Sequence, residues 1–253
     1  MNILTTQQSK ELDKISIRDF NIASIDLMEN AGKSIAQKSI QLLLKIKEPS
    51  IIVVSGFGNN GGDALVSARI LYDKGYNVKI LTFFIIKNRK YPSLKFYNQC
   101  LERKIPIIYN NEVDKVKHPD LIIDGIFGTG FRKKNNLYVF NLINWINNSN
   151  SIILSIDLPS GLNTDSGIVD NICVEASHTI ALETLKIGMV FRNGKNYSGI
   201  VEIAKIGFPK KAYNKIKGLD WKMFDENKGL AFLKKPVIDI NKYTSGKVLI
   251  IAG

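Results

Sequence analysis

Cysteine and histidine are almost missing from this chain: two of each occur in 253 residues. Cys100 and Cys173 make no disulfide framework, and with only His118 and His178 beside them no zinc site is expected. No apolar stretch approaches the roughly 20 residues of a membrane span. The longest runs cover only 51–54, 80–86 and 152–154. The opening MNILTTQQSKELDK lacks an apolar run behind a basic end, so no signal peptide is visible. What is present is ordinary for a globular domain, 45% hydrophobic and 23% charged residues, which excludes a disordered or collagen-like chain. The expectation is a soluble protein of a reducing, cytoplasmic compartment.

Acidic residues are scarce relative to basic ones. There are 23 Asp and Glu against 35 Lys and Arg, a formal net charge of +12. Such an excess invites a nucleic-acid reading. The lysines are spread along the chain, however, and the clusters at 87–90, 132–134 and 205–217 lack the aromatic interleaving of RNP motifs. A general bias toward Lys, Asn and Ile explains the charge better, so no nucleic-acid partner is expected.

The patterning alternates between helix and strand. Residues up to about 47 read as helix broken near Asn21, with Ile15, Ile22, Ile25, Met28, Ile35, Ile40 and Leu43 at helical spacings. The run 51–54 (IIVV) reads as a strand buried on both faces. A helix over 61–75 follows, with Gly75 as its C-cap. Strands are then predicted at 78–85, 106–109, 121–127, 151–156, 178–182 and 200–206, with helices at 93–103 and 139–147. Strands alternating with helices in this way mean βαβ units. The predicted fold is α/β, a Rossmann-like three-layer αβα sandwich with a mostly parallel central sheet.

Three strand ends carry the chemistry. Gly56, Gly58 and Gly61 in SGFGNNGGDAL match G-x-G-x-x-G between a strand and a helix, a turn that brings free N–H groups to an anion. The second strand ends LTFF without the acidic residue that a dinucleotide ribose requires, which counts against an ordinary NAD site. The other two ends, IIDGIFGTG and SIDLPSG, place Asp124 and Asp157 after apolar runs, where each needs a partner or a shifted pKa. Three such ends converge on one edge of an open sheet. Plainer readings exist for single residues: Asn59 and Asn60 as turn residues with positive φ, and Ser160 as a helix cap.

GFGNNGGDALVSARIL, IIDGIFGTG and SIDLPSG, in that order, resemble the NAD(P)HX epimerase family, the YjeF N-terminal domain. LMENAG at 27–32 and the stretch 199–209 resemble further elements of it, and the likeness covers roughly residues 1–210. The resemblance implies an enzyme that interconverts R and S forms of the C6-hydrated, damaged nicotinamide cofactors, so that a partner dehydratase specific for the S form restores NAD(P)H. It implies one potassium ion, K+, held by Asn60, Asp124 and Ser160. It implies contacts to the damaged cofactor from Asn59, Asn60, Gly61, Gly62 and Asp63. Further contacts come from the loop Gly128, Thr129, Gly130, Phe131, Arg132, Lys133 and Lys134, and from Asp157. A homodimer is implied as well. Asp157 is assigned as the acid–base group, because a hemiaminal hydroxyl leaves as water once protonated. Lys186 stands where the family often has K-x-G and is either near ligand phosphates or solvated. Lys87, Arg89 and Lys90 are candidates to attract a 2′-phosphate.

The stretch 242–253 (KYTSGKVLIIAG) resembles the opening of the NAD(P)HX dehydratase domain. The expected organisation is therefore an epimerase domain over 1–212, then a linker and a first dehydratase strand over 213–253. This suggests the N-terminal part of a bifunctional protein, with the dehydratase in cis or in trans. The competing reading is a non-catalytic module of the same fold, an RNA-associated dimerisation scaffold. Such a scaffold has no reason to keep Asn60, Asp124, Asp157 and Ser160 together.

Overall fold

The computed structural model describes residues 2–83, 89–128 and 137–223. A short strand β1 (Ile3–Leu4) leads into α1 (Thr6–Phe20) and α2 (Ser24–Leu43). Thr5 and Gln8 close a capping box at the start of α1: Gln8 N–H donates to Thr5 Oγ1 at 3.1 Å and Thr5 N–H to Gln8 Oε1 at 3.0 Å. Asn21, left-handed at φ 54°, ends α1, so the break falls where the sequence placed it. Then follow β2 (Ser50–Ser55), α3 (Asn59–Asp73), β3 (Asn77–Thr82), α4 (Ser93–Glu102), β4 (Ile107–Tyr109), β5 (Leu121–Gly125), α5 (Leu137–Asn147) and β6 (Ile152–Ile156). The chain continues through β7 (His178–Leu182), β8 (Leu185–Lys186), α6 (Ile187–Val190), α7 (Gly194–Ser198), β9 (Ile200–Ala204) and α8 (Lys210–Tyr213).

Seven strands form one sheet in the order β4-β3-β2-β5-β6-β7-β9, and every neighbouring pair is parallel. The continuous apolar strand runs have the reason expected of them. Ile51 and Val53 pack with α2, α3 and α4 on one face, while Ile52 and Val54 pack with α5 on the other. The α/β sandwich with a parallel sheet is thus as predicted.

Several boundaries differ, and one strand is new. Helix α3 begins at Asn59, so Asn59 and Asn60 form its first turn and are not positive-φ turn residues. Strand β5 stops at Gly125, because Ile126 turns back to donate its N–H to Asp124 Oδ1 at 3.2 Å. Two-residue β1 was not expected at all; it pairs parallel with β8 outside the main sheet. Gly75, at φ 86°, follows α3 as the sequence suggested. The beginning of the predicted linker packs back on the domain, with Ile216 and Leu219 in a cluster with Leu4, Leu12 and Ile15. The strand expected at 247–252 lies outside the described residues.

Candidate functional site

The glycine-rich turn after β2 is dictated by close packing of backbones. A Cβ on Gly56 would lie 1.9 Å from Ile126 O, and one on Gly61 would lie 1.9 Å from Gly56 O. These two glycines therefore lock the loops after β2 and β5 together, whatever they bind. Gly58 has nothing within 4 Å of such a Cβ and faces open space, next to exposed Asn59 and the unpaired first-turn N–H groups of α3. A cleft of about 470 Å³ opens there, over the C-terminal ends of the central strands. Gly58, Asn59, Asn60, Asp63, Gly128 and Asp157 line it, together with Ser9, Lys10 and Asp13 of α1 and Lys186 of β8.

Asp124 is fully buried behind this lining. Its Oδ1 accepts from Ser160 Oγ at 2.6 Å, and its Oδ2 accepts from Ser155 Oγ at 2.8 Å and Ser160 N–H at 2.9 Å. Burial pushes its pKa up, against the pull of these hydrogen bonds. All these donors are neutral, and no cationic side chain reaches the carboxylate among the described residues. Ser160 also accepts Phe127 N–H at 2.9 Å, so it ties two loops together and does not cap a helix. Asn60 donates through Nδ2 to Phe127 O at 2.9 Å and Ile156 O at 3.1 Å, which leaves its Oδ1 beside Gly128. Asn60, Asp124 and Ser160 are thus gathered in one oxygen-rich corner. One carboxylate with amide and hydroxyl oxygens fits a hard cation of low charge. No group of three His, Cys, Asp or Glu suited to a metal ion occurs among the described residues.

Asp157 sits at φ 66°, a left-handed conformation uncommon outside glycine and concentrated at functional sites. Its Oδ1 accepts Leu182 N–H at 3.1 Å and pairs with Lys186 Nζ, which also donates to Leu182 O at 2.8 Å. Lys186 is only 3% exposed, so it is not a solvated lysine; its ammonium is held against Asp157 at the cleft wall. Asp63, in the second turn of α3, is 6% exposed and is governed by burial and neighbouring charge. Burial pushes its carboxyl well above the usual range, the carboxylates of Asp157 and Asp13 push the same way, and Lys186 opposes them.

Arg89 does not serve as a candidate for a 2′-phosphate. It is 4% exposed beneath the glycine loop. Its guanidinium donates to Gly56 O at 2.7 Å, Thr82 Oγ1 at 2.7 Å and Ser55 Oγ at 3.0 Å, between the rings of Phe57 and Tyr97. Lys90 is exposed. Lys87, and with it Thr129, Gly130, Phe131, Arg132, Lys133 and Lys134, lies outside the described residues. Sequence reasoning missed the contribution of α1, since only the pairing of β1 with β8 brings Ser9 and Asp13 over the cleft.

The family described as YjeF-related protein N-terminus matches residues 24–188. The bifunctional NAD(P)H-hydrate repair enzyme Nnr of Dictyoglomus turgidum is 29% identical over 260 residues, which cover 100% of this chain and 49% of that protein. The chain therefore spans about half the length of that bifunctional relative. The NAD(P)H-hydrate epimerase of Limosilactobacillus reuteri strain SD2112 is 32% identical over 203 residues, covering 80% of this chain and 94% of that protein. The crystal structure of yeast ynu0 superposes with a TM-score of 0.74 at 23% identity, over 89% of this chain and 97% of that one, and so shares the fold.

Proposed function

Because the chain belongs to the YjeF-related N-terminal family, we propose that it epimerises NAD(P)HX, interconverting the R and S hydrates of the reduced nicotinamide ring. The observation that carries this reading is a cleft of about 470 Å³, a volume typical of small-molecule sites, lined by Asn60 and Asp157 and backed by buried Asp124 and Ser160, which are hydrogen-bonded to each other behind the lining residue Phe127. The hydroxyl-bearing C6 is a hemiaminal carbon next to the ring nitrogen. Protonation of the hydroxyl lets the nitrogen lone pair expel water and leaves a conjugated iminium; water returning to the other face inverts the centre. Asp157 is the acid–base group in this reading; it lines the cleft, and Lys186 holds its carboxylate in place. The N–H groups of the α3 first turn offer an anion site for the cofactor phosphates.

Asn60, Asp124 and Ser160 are the residues to hold K+, which would supply positive charge beside the buried Asp124 and brace the two loops. The same reading places the protein in the cytoplasm as a homodimer, paired with an S-specific dehydratase in cis or in trans. That pairing is supported by relatives named as bifunctional repair enzymes.

The test mixes both hydrates with an S-specific dehydratase, in potassium or in tetramethylammonium buffer. Adding this protein is expected to accelerate consumption of the R form, and more so in potassium. Consumption of the R form at the uncatalysed rate would refute the epimerase, and equal rates in both salts would refute the potassium site.

A further inference from the structure

Resting on the epimerase reading, we propose that Asp63 is a second acid–base group, acting on the face of the substrate ring opposite to the one served by Asp157. Inversion of C6 requires water to depart from one face and to return on the other. One carboxyl fixed on one side of a bound ring serves only one of those events. The cleft offers two carboxyls from different layers of the fold, Asp157 just after β6 and Asp63 in the second turn of α3.

Their surroundings differ in the way that such a division of labour needs. Asp157 is clamped by Lys186 Nζ and a backbone N–H, which fix the direction in which its carboxylate faces the cleft. Asp63 is almost fully buried, and the only influences on it are burial and charge; no hydrogen bond reaches it among the described residues. The groups facing it are Asp157, Lys186 and Asp13, with Lys10 further along α1. Lys186 is committed to Asp157 and Leu182, so Asp63 is surrounded mostly by like charge and holds its proton. Two carboxyls whose environments drive them apart are the pattern of an acid paired with a base.

The step balances. Asp63 gives its proton to the C6 hydroxyl, the C–O bond breaks, water leaves, and the ring nitrogen lone pair forms the C=N bond. A second water then attacks C6 from the other side and gives a proton to Asp157, while the C=N electron pair returns to nitrogen. Asp63 ends ionised and Asp157 protonated, and that form carries out the reverse reaction. One water leaves and one enters, with no oxidant or reductant.

The test follows both inversion and oxygen exchange in heavy-oxygen water, with the epimers separated and weighed. Asp63→Asn is expected to slow inversion by about 100-fold or more, the low end of what general acid–base catalysis contributes. Its residual exchange should enter only the epimer whose hydroxyl faces Asp157, and Asp157→Asn should direct exchange into the other epimer. Inversion by Asp63→Asn within about threefold of wild type, well short of such a contribution, would overturn the proposal. Exchange into the same epimer in both variants would overturn it too. Should Asp63→Asn fail to fold, Asp13→Asn decides: removing this like charge is expected to move the alkaline limb of the inversion rate to lower pH, and an unmoved limb overturns the proposal. A wild-type protein that inverts neither hydrate refutes the epimerase reading itself, a different outcome from normal inversion by Asp63→Asn.

Discussion

Asp157 and Asp63 line the same cleft with the same side chain, yet among the described residues only Asp157 is hydrogen-bonded, to Lys186 Nζ and the Leu182 N–H. The difference has a consequence for stability. The Asp63 carboxyl is raised well above its ordinary value of 3.8 by burial, then by Asp157 and Asp13. A carboxyl raised on folding stabilises the fold below its unfolded pKa, and that contribution is lost as pH rises toward its folded value. Relative to wild type, Asp63→Asn is therefore expected to gain stability as pH rises from about 3.8 upward, reaching on the order of 1 kcal/mol or more at neutral pH. Urea unfolding at acid and neutral pH measures this, and a difference independent of pH would contradict it. Arg89 is another buried charge, answered among the described residues by carbonyls, hydroxyls and two rings; burial lowers it to about 10, still protonated at neutral pH. It fastens the glycine loop from below, at the end of β3 where the sequence offered only an unassigned basic cluster.

At the scale of elements, the site is the product of loops forced together. Gly61→Ala would drive a methyl into Gly56 O, a backbone atom that cannot swing aside. A loss of about 3 kcal/mol is expected, at the upper end of overpacking costs, with activity falling as the loop is displaced. Thermal unfolding and the hydrate assay check both, and an unchanged Tm would show that the loop has room. The central strands were legible because both faces of the sheet are covered, so IIVV at 51–54 and LII at 121–123 carry no polar residue to obscure them. The start of α3 was less legible, since Asn59 and Asn60 have turn-like side chains but lie at a helix N-terminus, where polar groups are also favoured. Gly56, Asp124, Asp157 and Ser160 could be picked out because glycine and carboxylate stood at the ends of apolar runs. The burial of Lys186 could not be read locally: its partner Asp157 lies 29 residues away, and the pair exists only where β8 crosses the end of β6.

For the molecule as a whole, the +12 charge is not repeated in the described walls of the cleft, which carry the carboxyls of Asp13, Asp63 and Asp157 against the amines of Lys10 and Lys186. What the whole chain contributes is enclosure. The family match covers 24–188, yet Ser9 and Asp13 precede it, and Ile206 and Phe208 follow it, in the lining of the cleft. The N-terminal arm is fixed at three places. β1 pairs with β8, Gln8 Nε2 donates to Gly218 O at 2.6 Å, and Leu4, Leu12 and Ile15 are buried with Ala212 and Ile216. Full burial of each such side chain stabilises by about 1.5–3 kcal/mol, so the three together rival the roughly 5–15 kcal/mol net stability of a typical domain. Removing residues 1–20 is therefore expected to lower the urea midpoint sharply or to abolish cooperative unfolding, and to eliminate hydrate epimerisation. If 24–188 and its following strand formed a self-sufficient unit, the shortened chain would unfold at the wild-type midpoint and lose only activity. The two outcomes separate an arm that holds the fold from one that merely covers the site, and the depth to which Leu4 and Leu12 are buried favours the first.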